Sequence, residues 1–296
     1  MSERFSGCGT ALVTPFTADG AVDERALRAL VDWQIAEGIH FLVPCGSTGE
    51  AVTMTPAEHR RVVEIVVEQT AGRVPVMAGA GSNDTRKAIE LSREMRDAGA
   101  THLLHVSPMY NKPPQRGILA HFRAIAEATD LPIILYNVPG RTGSNMEART
   151  TLALAELPNV IGVKEASGNI GQIGDILRDR PANFSVLSGD DALTLPVMAA
   201  GGDGLISVTS NATPRLMARL VDLLAAGDLA GARVLHNQLL PWMRAAFIDG
   251  NPIPAKAALS MMGRIANVLR LPLVPLADAD MAAVRASLVA AGEVLS

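Results

Sequence analysis

The chain alternates short apolar runs with longer segments in which apolar residues recur every three to four positions. The short runs are rich in Val, Ile and Leu, as in strands that are buried on both faces of a parallel sheet. The longer segments have the period of amphipathic helices. The pattern predicts eight strands, at residues 9–15, 39–45, 74–78, 102–107, 133–137, 160–164, 185–188 and 204–208.

Helix start signals lie between these strands. Asp23 precedes the helical pattern ERALRALVDWQIAEG, and Thr55 followed by Pro56 precedes AEHRRVVEIVVEQTAG. Asp and Thr are favoured N-cap residues, and proline is favoured at the first helical position. The segment 213–226 also begins with Thr-Pro, ends before a glycine, and gives the eighth helix.

Eight strand–helix units predict an α/β fold, a closed (β/α)8 TIM barrel that occupies residues 1–226. Residues 227–296 have mostly helical patterns. No Pro-, Gly- or Ser-rich linker separates the two regions, so we expect residues 227–296 to form a C-terminal helical extension packed on the barrel.

Composition narrows the class of protein. The 296 residues are 48% hydrophobic and 19% charged with a net charge of −4, which is typical of a globular protein with a large core. No run of basic residues predicts nucleic-acid binding, and no stretch approaches the roughly 20 apolar residues of a membrane span. The N-terminus lacks the pattern of a signal peptide, and the two cysteines cannot form a disulfide framework. We therefore expect a cytoplasmic protein with no nucleic-acid or membrane partner.

Lysine and tyrosine are scarce, and their positions are informative. Only four of the 26 basic residues are lysines, and Tyr110 and Tyr136 are the two tyrosines. Active sites of barrels lie at the carboxyl ends of the strands. Both tyrosines and Lys164 fall at such ends, which makes them candidates for a chemical role.

Lys164 terminates the predicted strand 160–164. Burial of an amine disfavours its ammonium form and lowers its pKa from about 10.4. A neutral amine in a pocket is the nucleophile that forms a Schiff base with a keto acid. Alternatively, the side chain reaches solvent from the strand end or pairs with Glu165, and its position alone does not decide between these interpretations.

The segment GSTGE (46–50) follows the second strand. Its small residues would let backbone N–H groups face an anion, and Ser47 and Thr48 add hydroxyls, although an ordinary tight turn has the same composition. It lacks the spacing and the lysine of a P-loop. Arg141, just after Tyr136, could bind a carboxylate through two hydrogen bonds or remain solvated.

Metal and nucleotide sites are not expected. The six histidines are scattered, and the closest pair, His102 and His105, would lie on opposite faces of a strand. The chain also lacks a GxSxG elbow and a Rossmann GxGxxG motif.

Several motifs in a fixed order resemble those of the pyruvate-dependent Schiff-base lyases, and in particular the dihydrodipicolinate synthase branch of that family. The resemblance covers nearly the whole chain. Its motifs are GTALVTPF (9–16), GSTGE (46–50), PMYNKP (108–113), YNVPGRT (136–142), GVKEASGN (162–169), SGDD (188–191) and NPIPAK (251–256).

The resemblance implies catalytic roles for four residues. Lys164 matches the lysine that condenses with pyruvate, and Tyr136 matches the tyrosine that moves protons during imine formation and cyclisation. Ser47 occupies the position of a relay hydroxyl that is usually a threonine. Tyr110 matches the tyrosine that completes this relay from a neighbouring subunit.

Four further residues match substrate-binding positions of the family. Thr48 would hold the pyruvate carboxylate through its backbone N–H and hydroxyl, and Arg141 would bind the carboxylate of the aldehyde. Gly189 and Ile206 match positions that line the pocket.

The implied activity is the condensation of pyruvate with L-aspartate 4-semialdehyde to give 4-hydroxy-tetrahydrodipicolinate, a step of lysine and diaminopimelate biosynthesis. The imine nitrogen serves as the electron sink, so neither a metal nor an organic cofactor is expected. The resemblance also implies a homo-oligomer, because Tyr110 would act in trans. Members of the family are commonly a dimer of dimers, and the sequence leaves both a dimer and a tetramer open.

Departures from the family pattern concern feedback inhibition by L-lysine. Met109 replaces the first of two adjacent tyrosines, Lys87 replaces an acidic residue that would bind the ammonium of the inhibitor, and Pro56 replaces a histidine, whereas His59 and Asn83 are retained. Because like charges repel strongly in a small cleft, we expect weak or absent inhibition by L-lysine.

Two alternatives stay open. N-acetylneuraminate lyase and the aldolases and dehydratases of 2-keto-3-deoxy sugar acids share the lysine and the tyrosine; Ser47 keeps this alternative open, and Arg141 favours the synthase. A more remote alternative is a keto-acid-binding protein without catalysis on the same barrel.

Overall fold

A computed structural model describes residues 4–293 and shows eight parallel strands alternating with helices. The strands are β1 (Gly7–Ala11), β2 (Phe41–Val43), β3 (Met77–Gly79), β4 (His102–Val106), β5 (Ile133–Asn137), β6 (Val160–Glu165), β7 (Ser185–Ser188) and β8 (Gly204–Ser207). Each strand overlaps one of the eight predicted strands.

Helices cover the outside of these strands and continue beyond the last one. They are α1 (Glu24–Ala36), α2 (Pro56–Thr70), α3 (Thr85–Asp97), α4 (Gln115–Ala128), α5 (Pro139–Thr142), α6 (Ala148–Ala155), α7 (Ile170–Asp179), α8 (Thr194–Ala199), α9 (Pro214–Ala225), α10 (Leu229–Ala245), α11 (Ile253–Met261) and α12 (Asp278–Ala291).

The sheet closes into a barrel. The strand order is β2-β1-β8-β7-β6-β5-β4-β3, and the pairings within it are parallel. The remaining gap between β2 and β3 is bridged by a parallel pair, Leu42 with Val76, and by a bond from Gly79 N–H to the Pro44 carbonyl. The predicted (β/α)8 barrel is confirmed.

Two apolar clusters explain why the strands are apolar on both faces. The larger cluster lies between the strands and the surrounding helices. The smaller cluster fills the barrel interior, and it includes Phe41, Met77, Leu187 and Ile206. A filled interior leaves room for a ligand only at an end of the barrel.

The predicted helix start signals act as expected. The Asp23 carboxylate accepts from Ala26 N–H at 2.9 Å at the start of α1. At α2, Thr55 accepts from the Glu58 N–H while the Glu58 carboxylate accepts from the Thr55 N–H, which is a capping box with proline at the first helical position.

The segment after α9 packs on the barrel through helices α10 and α11. The fully buried Trp242 of α10 donates through Nε1 to the Thr209 carbonyl at 3.2 Å, directly after β8. The proposed division of the chain at residue 226 stays a prediction. None of the helices within residues 4–293 combines the length and the apolar character that crossing a membrane requires.

Candidate active site

A cavity of about 880 Å³ opens at the carboxyl ends of the strands. Six of the eight predicted site residues line it, and they come from the ends of β2, β5, β6 and β7. These residues are Ser47, Thr48, Tyr136, Arg141, Lys164 and Gly189.

Lys164 lies at the end of β6 with 5% of its surface exposed. It is paired in register with Tyr136 on β5, and its Nζ lies 4.3 Å from the centroid of the Tyr136 ring. Glu165 is engaged elsewhere, because its carboxylate accepts from the side chain of Asn137 at 3.1 and 3.2 Å and from Ser167 N–H at 2.7 Å. In the structure, therefore, Lys164 neither reaches solvent nor forms an ion pair with Glu165.

Burial changes the acidity of both groups. It lowers the pKa of Lys164 to about 8; the Asp191 carboxylate opposes this shift and the Arg141 guanidinium adds to it. Burial raises the pKa of Tyr136 to about 12, against the smaller opposing effect of Arg141. Near neutral pH the tyrosine keeps its proton, and a useful fraction of the lysine is the free amine.

The GSTGE segment is a tightly wound loop. Two residues with positive φ, Cys45 (57°) and Glu50 (56°), flank a 3-10 turn over Ser47–Gly49. Ser47 is exposed in the cavity, whereas Thr48 is buried and its hydroxyl accepts from the side chain of Asn251 at 2.9 Å.

Arg141 and Gly189 complete the cavity wall around Lys164. Arg141 lies exposed on the short helix α5, which directly follows Tyr136 and its strand. Gly189 follows β7, and a β-carbon at this position would lie 3.0 Å from Lys164 Cγ and 2.7 Å from Ala166 Cβ. Glycine therefore makes room for the lysine side chain.

The two other predicted site residues lie apart from the cavity wall. Tyr110 is 88% exposed, and its backbone has a positive φ of 72° that is held by a bond from its N–H to the Thr142 carbonyl. Ile206 is fully buried in the interior cluster that also contains Tyr136.

Sequence reasoning missed several contacts around the GSTGE loop. Asn251 lines the cavity, and the side chains of Lys256 and Glu50 form a fully buried ion pair at 2.5 Å. The only signal for them was the NPIPAK motif, to which no role was given. Within residues 4–293, His, Cys, Asp and Glu side chains form no group of three or more that could hold a metal ion.

A closed barrel with a buried lysine amine in a cavity at the carboxyl ends of the strands suits an enzyme that forms a Schiff base with its substrate. The chain belongs to the dihydrodipicolinate synthetase family, whose model matches residues 4–291.

Individual relatives agree with this family. The chain is 54% identical over 274 residues to the 4-hydroxy-tetrahydrodipicolinate synthase of Koribacter versatilis, covering 92% of this chain and 91% of the relative. Two solved structures, each 42% identical with a TM-score of 0.95, cover 97% of this chain. One is the chloride-inhibited dihydrodipicolinate synthase of Acinetobacter baumannii complexed with pyruvate (99% of that chain covered), and the other is the enzyme of Cyanidioschyzon merolae with lysine bound (98% covered).

These comparisons confirm the predicted family and fold, and they confirm that the protein is a lyase with 4-hydroxy-tetrahydrodipicolinate synthase activity. The roles of single residues, the response to L-lysine and the assembly into oligomers stay predictions.

Proposed function

We propose that this enzyme condenses pyruvate with L-aspartate 4-semialdehyde through a Schiff base on Lys164. The observation that carries the proposal is the buried amine of Lys164 beside the Tyr136 ring, in a cavity that also contains Thr48 and Arg141. A relative with 42% identity has been solved in complex with pyruvate, which supports pyruvate as the first substrate.

The first half of the reaction uses the lowered pKa of Lys164. The neutral Nζ attacks C2 of pyruvate, the carbonyl oxygen leaves as water after accepting protons, and a protonated imine remains. Loss of a proton from C3 gives an enamine, with the imine nitrogen accepting the electron pair. Tyr136, which is protonated at neutral pH, can donate and recover the protons of these steps.

The second half forms the new carbon–carbon bond. C3 of the enamine attacks the aldehyde carbon of the semialdehyde, and the aldehyde oxygen takes a proton to become a hydroxyl. The amine of the substrate then attacks the imine carbon and displaces Lys164. This step closes the ring and returns the lysine as the free amine.

The remaining cavity residues hold the two substrates. Thr48 would bind the pyruvate carboxylate through its backbone N–H and hydroxyl, and Arg141 would pair with the carboxylate of the semialdehyde. Ser47 would pass protons to Tyr136. Gly189 gives space to the lysine, and Ile206 belongs to the same interior apolar cluster as Tyr136.

We also propose that Tyr110 completes the proton relay in a neighbouring subunit. Its ring is 88% exposed on a loop that is fixed by the Thr142 carbonyl, and Asn83 donates to the neighbouring Met109 carbonyl at 3.2 Å. A rigid loop that presents an aromatic side chain to solvent suits a contact between subunits. The proposed assembly is a homo-oligomer, a dimer of dimers, and the proposed location is the cytoplasm.

Weak inhibition by L-lysine is proposed from the charges of α3. Lys87, Glu90 and Glu94 line the same cavity as His59 and its neighbours. The Lys87 ammonium offsets one of the two carboxylates and repels a second ammonium. The Cyanidioschyzon relative has been solved with lysine bound, so its structure can be compared with this cavity.

A coupled assay tests the proposed function. We expect turnover of pyruvate with L-aspartate 4-semialdehyde and no comparable turnover of N-acetylneuraminate or 2-keto-3-deoxy sugar acids. Preference for a sugar acid would favour the alternative activity that Ser47 keeps open. Binding of pyruvate without turnover of any of these partners would favour a keto-acid-binding protein.

A further inference from the structure

The segment Asn251–Lys256, which lies beyond the barrel in sequence, returns to the cavity and contacts the GSTGE loop at two points. The Asn251 side-chain amide donates to Thr48 Oγ1 at 2.9 Å across 203 positions of the chain. Lys256 pairs with Glu50 at 2.5 Å across 206 positions. Asn251 is 8% exposed and lines the cavity.

The bond from Asn251 decides where the proton of the Thr48 hydroxyl can point. A threonine hydroxyl has one proton to donate and two lone pairs to accept with. The amide N–H of Asn251 occupies one lone pair, and among residues 4–293 no other protein group bonds to Thr48 Oγ1. The hydroxyl proton is therefore left to donate to a ligand in the cavity.

The second contact holds the amide in place. Lys256 and Glu50 are fully buried, Lys256 Nζ also donates to the Val268 carbonyl at 2.8 Å, and the second Glu50 oxygen accepts from Arg270 N–H at 3.1 Å. The loop and the segment Asn251–Lys256 are thus joined at a second point, two residues after Thr48 and five residues after Asn251.

We infer that Asn251 is a positioning residue for the keto acid: it directs the Thr48 hydroxyl proton at the substrate carboxylate. The inference rests on the proposed function, in which Thr48 binds that carboxylate. Asn251 Oδ1 is buried without a protein partner, so it is free to accept a hydrogen bond from a water or a polar substrate group beside the carboxylate.

Steady-state kinetics of two Asn251 variants test the inference. In Asn251→Asp the side chain keeps its shape but only accepts hydrogen bonds, so it captures the Thr48 proton. We expect the KM for pyruvate to rise by about tenfold or more, since a hydrogen bond to a charged group is lost. The kcat at saturating pyruvate and the KM for aspartate semialdehyde should change by less than about twofold. Asn251→Ala should raise the KM for pyruvate in the same direction by less, because it adds no negative charge.

A double-mutant cycle separates positioning from general damage. Thr48→Val removes the hydroxyl, and in that background Asn251→Ala should cause no further rise in the KM for pyruvate. The inference would be overturned if the two substitutions raised the KM for pyruvate by independent factors that multiply in the double variant. A loss of kcat with an unchanged KM would also overturn it. If Asn251→Ala does not fold, as judged by its thermal unfolding midpoint, Asn251→Ser takes its place in the cycle.

The failure of this inference is distinguishable from the failure of the proposed function. If borohydride traps pyruvate on Lys164 of the wild-type enzyme while the cycle is multiplicative, only the role of Asn251 is wrong. If no adduct forms on the wild-type enzyme, the proposed function itself is wrong, and the inference with it.

Discussion

The Lys164 side chain at the end of β6 occupies the space that a side chain on Gly189, at the end of β7, would need. A β-carbon on Gly189 would lie 3.0 Å from Cγ and 3.1 Å from Cε of the lysine. Both distances are shorter than ordinary van der Waals contacts between carbon atoms, which lie near 3.5–4.0 Å. A side chain at residue 189 would therefore press on both Lys164 and Ala166, whose Cβ would lie only 2.7 Å away, and the lysine would have to shift.

Gly189→Ala should therefore displace the Lys164 amine and lower kcat/KM, by as much as about 100-fold if the amine moves by about 1 Å. Steady-state kinetics with both substrates measure this effect. Gly174→Ala is the matched control, because a β-carbon on Gly174 in α7 would meet nothing within 4 Å. The control should keep full activity, and equal losses in both variants would show that the Gly189 contact is unimportant.

The pH dependence of imine formation should follow the amine of Lys164. Its pKa is lowered to about 8, so the ammonium dominates below pH 8 and cannot attack a carbonyl. The rate of imine formation in single-turnover experiments with pyruvate alone should rise about tenfold per pH unit below 8 and level off above it.

Arg141→Gln provides a check on this assignment. The Arg141 guanidinium lowers the pKa of Lys164, so its removal should move the rising limb of the pH profile to higher pH. A limb that stays in place, or moves to lower pH, would contradict the assignment of the limb to Lys164. Because aldehyde is absent, the loss of the Arg141 contact to the second substrate does not affect this measurement.

The Lys256–Glu50 ion pair should be important for stability. Both side chains are fully buried, so Lys256→Met leaves a buried carboxylate without its cation. We expect urea unfolding to show a loss of about 3–5 kcal/mol in the free energy of unfolding. Arg178→Met removes the exposed ion pairs with Asp175 and Asp179 and should leave the free energy of unfolding nearly unchanged. Similar losses in the two variants would mean that burial of the Lys256 pair does not matter.

Lys87→Glu should increase inhibition by L-lysine. The substitution replaces a repelling ammonium in the cavity by a carboxylate that can pair with the inhibitor. The inhibition constants for L-lysine are measured for the wild type and for the variant. Arg86→Glu is the control, because it makes the same change of charge on the neighbouring exposed side chain. A submillimolar constant for the wild type, or none of the expected gain in Lys87→Glu, would refute the proposal.

Local patterns were enough to predict the barrel. Buried parallel strands have continuous apolar runs, and caps such as Thr55 act through residues within one helical turn, so both signals are contained in short windows of sequence. The predicted strand ends put Lys164 and Tyr136 at the same end of the barrel, and in the structure the two residues are paired in register on neighbouring strands.

Contacts between distant segments could not be predicted in this way. Asn251 meets Thr48, and Lys256 meets Glu50, across more than 200 positions, and neither pair has a local periodicity or spacing that identifies its partner. A tight turn at GSTGE was one of the two expectations, but the positive φ angles of Cys45 and Glu50 were not expected. Neither residue is glycine, so the tertiary contacts of the loop must support this conformation.

Borohydride trapping shows whether pyruvate forms an imine on Lys164. Wild-type enzyme is incubated with pyruvate and borohydride, and the modified peptide is identified by mass spectrometry. We expect one reduced pyruvate adduct on Lys164, which is absent in Lys164→Ala and present in Lys87→Ala, a variant of another lysine that lines the same cavity. An adduct that persists in Lys164→Ala, or a wild-type enzyme that remains unmodified, would contradict this expectation.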